Sequence, residues 1–130
     1  MSRESSVVSL KKSYRDLNVW RKSITLSKFV YKHTEAFPKR EHFGLASQMR
    51  RAVVSIASNI AEGSARYSDK DYDHFITIAR ASIAELTTQF IISKEVGYID
   101  HDVFLEYESQ SDEISKILNG LRSRLTTQDS

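Results

Sequence analysis

The residues best suited to chemistry in this chain lie in one stretch, "QMRRAVVSIASNIAEGSAR", from Gln48 to Arg66. Its polar side chains recur three or four residues apart, the spacing that places them on one face of a helix. Guanidinium, carboxylate, hydroxyl and amide groups in such a row can act as acids and bases, bind a ligand or fix the register of packed helices. An ordinary solvated face would carry more Lys and Glu. The row comprises Ser47, Gln48, Arg51, Ser55, Ser58, Asn59 and Glu62.

The rest of the chain gives little support for catalysis. There is no cysteine, which excludes disulfides, thiolate metal sites and a cysteine nucleophile. Four scattered glycines cannot build a phosphate-binding loop, and no two histidines have the i, i+4 spacing of a zinc site. A helical ribonuclease would carry an Arg five to seven residues before a His, and none of His33, His42, His74 and His101 meets that condition. We therefore expect a protein that is not an enzyme and binds neither metal nor cofactor.

The charged members of the row suggest a structural role. We expect Arg51, Glu62 and Glu85 to be partly buried, because each lies beside small or apolar residues. A buried charge without a partner costs several kcal/mol, so we hypothesise that Arg51 pairs with Glu85 or Glu62, within or between subunits. The alternative is a surface pair worth under about 1 kcal/mol. The predicted interface residues are Gln48, Arg51, Ser55, Asn59, Glu62 and Glu85.

Four amphipathic helices are predicted to position these residues. One proline and four glycines are too few for a sheet protein, which needs frequent turns. The short links between the helices favour an all-α, antiparallel up-down-up-down four-helix bundle. We expect one domain over residues 15–125, with residues 1–14 and 126–130 as flexible tails. The predicted helices run from about Asp16 to Ala36, Glu41 to Ser64, Ser68 to Val96 and Asp100 to Leu125.

Local signals mark helix ends and helix faces. Ser68 begins an approximate capping box, and Gly97 is typical of the residue that follows a helix. In the first helix, a projection at about 100° per residue places Ile24 and Tyr31 on the apolar, buried arc. The same projection places Phe29 on the face that carries the lysines.

Charge divides the chain into two halves. Residues 1–66 contain thirteen Lys and Arg against five Asp and Glu, a net +8, whereas residues 67–130 contain six against twelve, a net −6. A basic half can bind phosphate, or it can face the acidic half of its own chain or of a neighbouring copy. Both interpretations stay open. The candidate phosphate contacts are Arg21, Lys22, Lys28, Lys32, Arg50 and Arg51.

The distribution of apolar residues bears on location. The first fifteen residues contain only "VVSL" as an apolar run, which is too short for the core of a signal peptide. No later segment approaches about 20 consecutive apolar residues. We expect a cytoplasmic protein that does not enter a membrane.

Three motifs in a fixed order also carry a family resemblance. "QMRRA", "S-x-x-x-NIAEG" and "ARASIAEL" begin at Gln48, Ser55 and Ala79, and the similarity extends over about residues 14–100. The sequence resembles the four-helix-bundle family encoded in intervening sequences of large-subunit ribosomal RNA genes. It is also similar to the related accessory variability proteins of diversity-generating retroelements.

The resemblance implies a fold, an assembly and a function. Members of the family look like antiparallel four-helix bundles that form homopentameric rings with basic surfaces, and they are not known as enzymes. The retroelement branch assists a reverse transcriptase and binds nucleic acid. We therefore expect a homo-oligomeric adaptor whose candidate partners are RNA or DNA and a reverse transcriptase. The alternative is a protein-interaction or structural oligomer without nucleic acid. The matching positions are Gln48, Arg50, Arg51, Ser55, Asn59, Glu62, Gly63, Ser82, Glu85 and Gln89.

Overall fold

Four helices account for nearly all of the described chain. The structure is a computed structural model that describes residues 14–129, with side chains at residues 14, 15 and 17–125. Within these residues there is no strand, which confirms the predicted all-α class. Two short 3₁₀ turns, Tyr14–Asp16 and Lys39–Glu41, precede the first two helices. The helices are α1 (Asn18–Glu35), α2 (Leu45–Ser64), α3 (Asp69–Glu95) and α4 (His101–Asp129).

The helices form a closed four-helix bundle. Each helix packs against the next one in the chain, and α4 packs against α1 to close the bundle. The most extensive helix pair is α2 with α3. Because the links between helices are short, consecutive helices run in opposite directions, as predicted. The polar row of α2 is therefore placed beside the widest helix contact in the molecule.

An aromatic stack crosses the centre of the bundle. The ring of Phe90 in α3 stacks with two others. Its centre lies 6.1 Å from the centre of the Phe29 ring in α1 and 4.0 Å from that of the Tyr107 ring in α4. The Tyr107 hydroxyl shares a hydrogen bond of 2.7 Å with the Thr87 hydroxyl. Burial raises the pKa of Tyr107 to about 12. The stack joins three helices through side chains that are almost completely excluded from water.

Two predicted helix starts are wrong. The first helix begins at Asn18 instead of Asp16, because residues 14–16 form a 3₁₀ turn and Leu17 is extended. The second begins at Leu45 instead of Glu41, because Gly44 has a non-helical conformation at the boundary. At the other end of the chain, α4 continues to Asp129, beyond the predicted end at Leu125.

The predicted signals around α3 are confirmed. The Ser68 hydroxyl accepts a hydrogen bond of 3.0 Å from the Asp71 N–H and caps the helix. Gly97 follows the helix with φ of 84°, the left-handed conformation that glycine adopts without strain. A side chain at the start of α4 acts similarly, since Asp100 Oδ1 accepts from the Val103 N–H at 2.9 Å.

The predicted faces of α1 are partly wrong. Ile24 and Tyr31 were expected on the buried arc but are 36% and 45% exposed, and Phe29 was expected beside the lysines but is buried. The core-facing side of α1 carries Leu26 and Val30, which belong to the predicted apolar arc, together with Phe29. Among the described helices, the backbone of α1 lies close only to α2 and α4, while the Phe29 side chain reaches Phe90 of α3 across the core. The contact arc of α1 is therefore narrower than its apolar arc.

By length and composition alone, α3 is also a candidate membrane span. Its most apolar 18 residues have a mean hydropathy of 1.3. The search of the sequence for an uninterrupted apolar run did not detect this property, because polar residues interrupt the apolar ones in α3. In the bundle α3 packs against both α2 and α4, and the core helices of bundles commonly meet the same criteria.

Candidate interaction surface

The polar row of α2 lies at the surface of the bundle. Gln48, Arg51 and Glu62 are exposed, whereas Ser55 and Asn59 are half-buried. The prediction that Arg51, Glu62 and Glu85 would be partly buried is wrong, because all three side chains are exposed in the single chain. The packing of α2 against α3 buries the small and apolar residues next to the row and leaves the charged side chains of the row in solvent.

Hydroxyl groups in the middle of the row fix the contact between α2 and α3. Ser55 Oγ and Ser82 Oγ are 2.8 Å apart and share a hydrogen bond. Asn59 Nδ2 donates to the Ser55 carbonyl at 2.8 Å and to Ser55 Oγ at 3.1 Å. These three residues belong to the motifs that carried the family resemblance. The Ser55–Ser82 hydrogen bond joins the two helices, and the Asn59 bonds hold Ser55 from within α2.

Gly63 lets the two helices approach closely at the end of α2. A Cβ atom at this position would lie 2.8 Å from Phe75 Cβ and 3.0 Å from Tyr72 Cδ1, both on α3. Ordinary carbon–carbon contacts are about 3.5–4.0 Å. The glycine of "NIAEG" is therefore required by packing, a role that the sequence analysis did not assign to it.

Arg51 and Glu85 face the same surface concavity without pairing. This concavity, of about 590 Å³, lies between α2 and α3 and is lined by Gln48, Arg51, Ser55 and Glu85 among others. Among the described side chains, neither Arg51 nor Glu85 has an ion pair within 4 Å. Glu62 pairs instead with Arg66 at 2.8 Å, one turn along the chain. The within-chain form of the hypothesised pair is thus absent, and the between-subunit form stays a prediction.

Lys22 and Arg50, both candidate phosphate contacts, are engaged within the chain. Lys22 pairs with Glu113 and links α1 to α4. Arg50 donates to Thr34 Oγ1 at 2.9 Å and to Glu35 at 3.4 Å. Neither cation is fully available to an external phosphate.

The other four candidates are exposed. Arg21, Lys28 and Lys32 lie on the outer face of α1, and Arg51 lies on α2. Lys28, Lys32 and Arg51 have no ion-pair or hydrogen-bond partner among the described side chains. The structure thus places three unpaired cations on the basic half of the chain.

Arg51 also borders a second concavity, of about 350 Å³, at the end of α2 next to the α1–α2 loop, residues 36–44. The guanidinium carbon of Arg50 lies 4.8 Å from the centre of the Tyr31 ring in this concavity. It adjoins the first concavity, because Arg51 and Val54 line both. Its lining residues are Tyr31, His42, Ser47, Arg50, Arg51 and Val54.

A third concavity between α1 and α2 is more apolar. It measures about 370 Å³, and Val54 borders it as well. Trp20 and Ile24 contribute large apolar groups, while Ala57 and Ala61 leave room for a neighbouring side chain. The three concavities form one continuous surface on the outer side of α2.

The α1–α2 loop presents an aromatic ring that the sequence analysis did not single out. Phe43 is 99% exposed. The loop beside it is held by Glu41, whose carboxylate accepts from the Leu45 N–H at 3.1 Å and from the Tyr98 hydroxyl at 2.7 Å. The Tyr98 hydrogen bond, followed by that of Leu45, lowers the pKa of the Glu41 carboxyl. The signal in the sequence was an aromatic residue directly after the cations of "KREHF".

The histidines and acidic residues do not form a metal centre in the described part of the chain. No group of three or more His, Asp or Glu side chains there lies close enough to hold an ion. His42, His74 and His101 are exposed. Burial, followed by the charge of Lys32, lowers the pKa of His33, whose ring lies 4.4 Å from that of Phe29.

Residues 15–120 match the sequence model of a family described as 23S rRNA-intervening sequence protein. The chain belongs to this family. The matched segment spans α1, α2, α3 and most of α4, so it contains all the candidate residues named above. Membership in the 23S rRNA-intervening sequence protein family confirms the first part of the resemblance, and the relationship to retroelement accessory proteins stays a prediction.

A solved structure shares the fold of this family member. It is the crystal structure of a protein with unknown function from the S23 ribosomal protein family of Bacteroides thetaiotaomicron VPI-5482. The two structures align with a TM-score of 0.73 and 23% sequence identity, over 80% of this chain and 97% of the other. At this identity the comparison establishes the fold alone. A comparison with curated proteins found no match.

Proposed function

We propose that this member of the 23S rRNA-intervening sequence protein family is a non-enzymatic, homo-oligomeric adaptor that binds nucleic acid. The observation that carries the proposal is the set of unpaired cations on the basic half of the chain. Lys28, Lys32 and Arg51 are exposed and lack partners among the described side chains. The acidic half of the chain therefore does not neutralise all the cations of the basic half.

Unpaired surface cations favour phosphate as the ligand group. Lys28 and Lys32 are four residues apart on α1, so their ammonium groups lie on one face of the helix. Cations arranged in this way neutralise backbone phosphates and release counterions, which supplies affinity without reading sequence. The family description, which names an intervening sequence of ribosomal RNA, is consistent with this class of ligand but does not itself assign it.

The proposed oligomer is a ring, and a pentamer by family resemblance. In a ring each subunit presents one face to a different face of its neighbour. A basic α1–α2 hairpin and an acidic α3–α4 hairpin favour such a contact by charge. The exposed concavity around Val54, Trp20 and Ile24 supplies apolar area for it. A pair between Arg51 of one copy and Glu85 of the next belongs only to the alternative assembly described next, because phosphate and Glu85 compete for the same guanidinium group.

The apolar concavity also favours a second candidate function, a structural oligomer that binds no nucleic acid. In that case the neighbouring subunit covers the basic face as well, and the lysines of α1 pair with its acidic residues. Salt dependence separates the two functions, because phosphate contacts lower log K by about 0.9 per contact for each tenfold rise in salt.

The test measures retention of labelled RNA and DNA by the protein at increasing salt. The wild type is expected to bind at low salt, with binding that declines as salt rises. A Lys28→Gln, Lys32→Gln double variant is expected to bind more weakly and to lower the salt slope by roughly 1–2. Lys70→Gln with Lys116→Gln, two exposed lysines of the acidic half, is the matched control. No retention at low salt, or none of the decline, refutes nucleic-acid binding.

Two further measurements address the assembly and the protein partner. Light scattering at micromolar concentration tests the oligomer, and a monomeric mass contradicts the ring. Co-purification with a reverse transcriptase tests the partner that the retroelement resemblance suggests. A reverse transcriptase gene and a variable repeat beside the coding gene would support this partner, whereas insertion inside a ribosomal RNA gene would favour the other branch.

A further inference from the structure

We infer that the α1–α2 loop, together with the 350 Å³ concavity that it borders through His42, binds one unpaired nucleotide of a single-stranded nucleic acid. Phe43, next to His42 in the loop but outside the lining of the concavity, stacks on a base from the solvent side, and Arg51 contacts the adjacent phosphate. The inference rests on the proposed nucleic-acid binding and adds the form of the strand that the protein selects. It places the site at the end of the bundle that holds the α1–α2 loop, where Lys32 lies in the last turn of α1.

The Phe43 ring is exposed to solvent on an anchored loop. Single exposed apolar side chains are common and by themselves carry no conclusion. Phe43 differs because its ring is 99% exposed at the end of an anchored loop. The Glu41 carboxylate holds that loop on one side through Leu45 and on the other through Tyr98. A loop anchored in this way loses little backbone conformational freedom when a partner stacks on its exposed ring.

Cations surround the Phe43 ring. Lys39, Arg40 and His42 are exposed in the same loop. Lys39 and His42 have no ion-pair or hydrogen-bond partner among the described side chains, whereas the charge of Arg40 acts on the adjacent Glu41. Glu41, the one carboxylate among them, is occupied by its two hydrogen bonds. An exposed aromatic ring next to unpaired cations matches single-stranded nucleic acid, which offers base faces and phosphates together.

The concavity behind the loop has a size and a lining that suit one nucleotide. Its volume lies near the lower end of the roughly 300–1,000 Å³ range of small-ligand pockets, which suits one nucleotide. Thr34 and Glu35 hold Arg50 over the Tyr31 ring, so this wall is preorganised. Arg51 is free to turn toward a phosphate. A duplex keeps its bases stacked on each other and offers no free base face to such a site.

The same surface also distinguishes nucleic acid from a second protein copy as the occupant. The neighbouring concavity around Trp20, Ile24 and Ala57 is apolar and has no cation in its lining, which fits a subunit contact. The concavity next to His42 is lined by Arg50 and Arg51. Charge therefore assigns the two concavities to different partners.

The experiment compares the binding of a fluorescently labelled single strand with that of its duplex by anisotropy at low salt. RNA and DNA of the same sequence are measured separately. The variants are Phe43→Ala and Arg51→Ala. Their matched controls are Tyr67→Ala, an aromatic residue that is 97% exposed after the other end of α2, and Arg80→Ala, an exposed arginine of α3. Circular dichroism and light scattering verify the fold and the mass of each variant.

Phe43→Ala is expected to weaken binding of both single strands at least about fivefold, because stacking on one base is worth roughly that or more. It leaves duplex binding unchanged, and Tyr67→Ala changes neither. Arg51→Ala weakens binding to both strand forms and lowers the salt slope by about 1, whereas Arg80→Ala does not.

Four results overturn the inference. If Phe43→Ala and Tyr67→Ala bind single strands equally while the wild type shows salt-dependent binding, the site is wrong and the proposed function stands. If Phe43→Ala changes the oligomer mass, Phe43 is a subunit contact. If the wild type does not bind at low salt, the proposed function fails and the site fails with it. A loss on one sugar type alone also contradicts base stacking as the cause.

Discussion

Replacing Gly63 with Ala tests the close approach of α2 and α3. The added methyl group lies 2.8 Å from Phe75 Cβ and 3.0 Å from Tyr72 Cδ1, about 0.5–1 Å inside ordinary contact. Phe75 Cβ is attached to the backbone, so α3 itself must shift. Overpacking of this kind costs about 1–3 kcal/mol. Alanine also gains about 1 kcal/mol over glycine inside a helix, which offsets part of the cost.

Gly120 in α4 provides the matched control. It is exposed, and a Cβ atom there would have no neighbour within 4 Å. Gly120→Ala should therefore stabilise the protein by about 0.5–1 kcal/mol through helix propensity alone. The propensity gain cancels in the difference between the two variants. That difference should equal the overpacking cost, about 1–3 kcal/mol, with Gly63→Ala as the less stable protein.

Urea denaturation followed by circular dichroism measures both free energies of unfolding. All proteins are compared at one concentration, because an oligomer gains stability with concentration. The reasoning is refuted if Gly63→Ala is as stable as Gly120→Ala, since the two helices then do not meet at Gly63.

Three other changes have defined outcomes. Ser55→Ala removes the Ser82 hydrogen bond and should lower the free energy of unfolding by about 1 kcal/mol, whereas Ser58→Ala, at an exposed position, should not, by the same denaturation assay. The pKa of Glu41 is lowered in the folded state, so its contribution to the free energy of unfolding is present above its unfolded pKa and lost as the pH falls through its folded pKa. Tyr98→Phe removes one cause of that lowered pKa, so its free energy of unfolding should fall less in an acid titration than that of the wild type. An equal fall in both proteins contradicts the Glu41–Tyr98 hydrogen bond. Burial raises the pKa of Tyr107 to about 12, so the stability that the neutral side chain contributes is complete below the ordinary tyrosine pKa of about 10 and declines as the pH rises toward 12. Burial raises the pKa of Tyr72 as well, so ultraviolet absorbance should show late-forming phenolates that include that of Tyr107. Ionisation of all tyrosines near pH about 10 argues against the burial of Tyr107.

The sequence predicts those features of the bundle that depend on local signals. Ser68 and Gly97 mark the ends of α3 because capping and left-handed glycine act through the backbone of a few adjacent residues. The four-helix arrangement follows from apolar spacing and short links. The width of the contact arc on α1 does not, because it depends on how many helices pack against α1. Ile24 and Tyr31 were misplaced for this reason.

The candidate site is less accessible to sequence reasoning. The helical spacing of Arg51, Glu62 and Glu85 predicts that they lie on neighbouring faces, but an ion pair requires the charged atoms to lie within about 4 Å. Glu62 forms its ion pair with Arg66 instead. The loop that carries Phe43 is anchored by a hydrogen bond between Glu41 and Tyr98, which are 57 residues apart. No local pattern encodes that contact. The exposed cations of α1, by contrast, could be predicted from spacing alone.

The positions of Phe43 and Tyr67 give the molecule a direction. They flank α2, whose 20 residues span about 30 Å, so the two exposed rings lie near opposite ends of that helix. In a cyclic ring, equivalent atoms of all copies lie on one circle about the axis. The proposed assembly would therefore carry all its Phe43 rings at one level and all its Tyr67 rings at another. A strand bound at the Phe43 level would meet an assembly with two unlike sides, and a protein partner could distinguish the loaded side from the empty one.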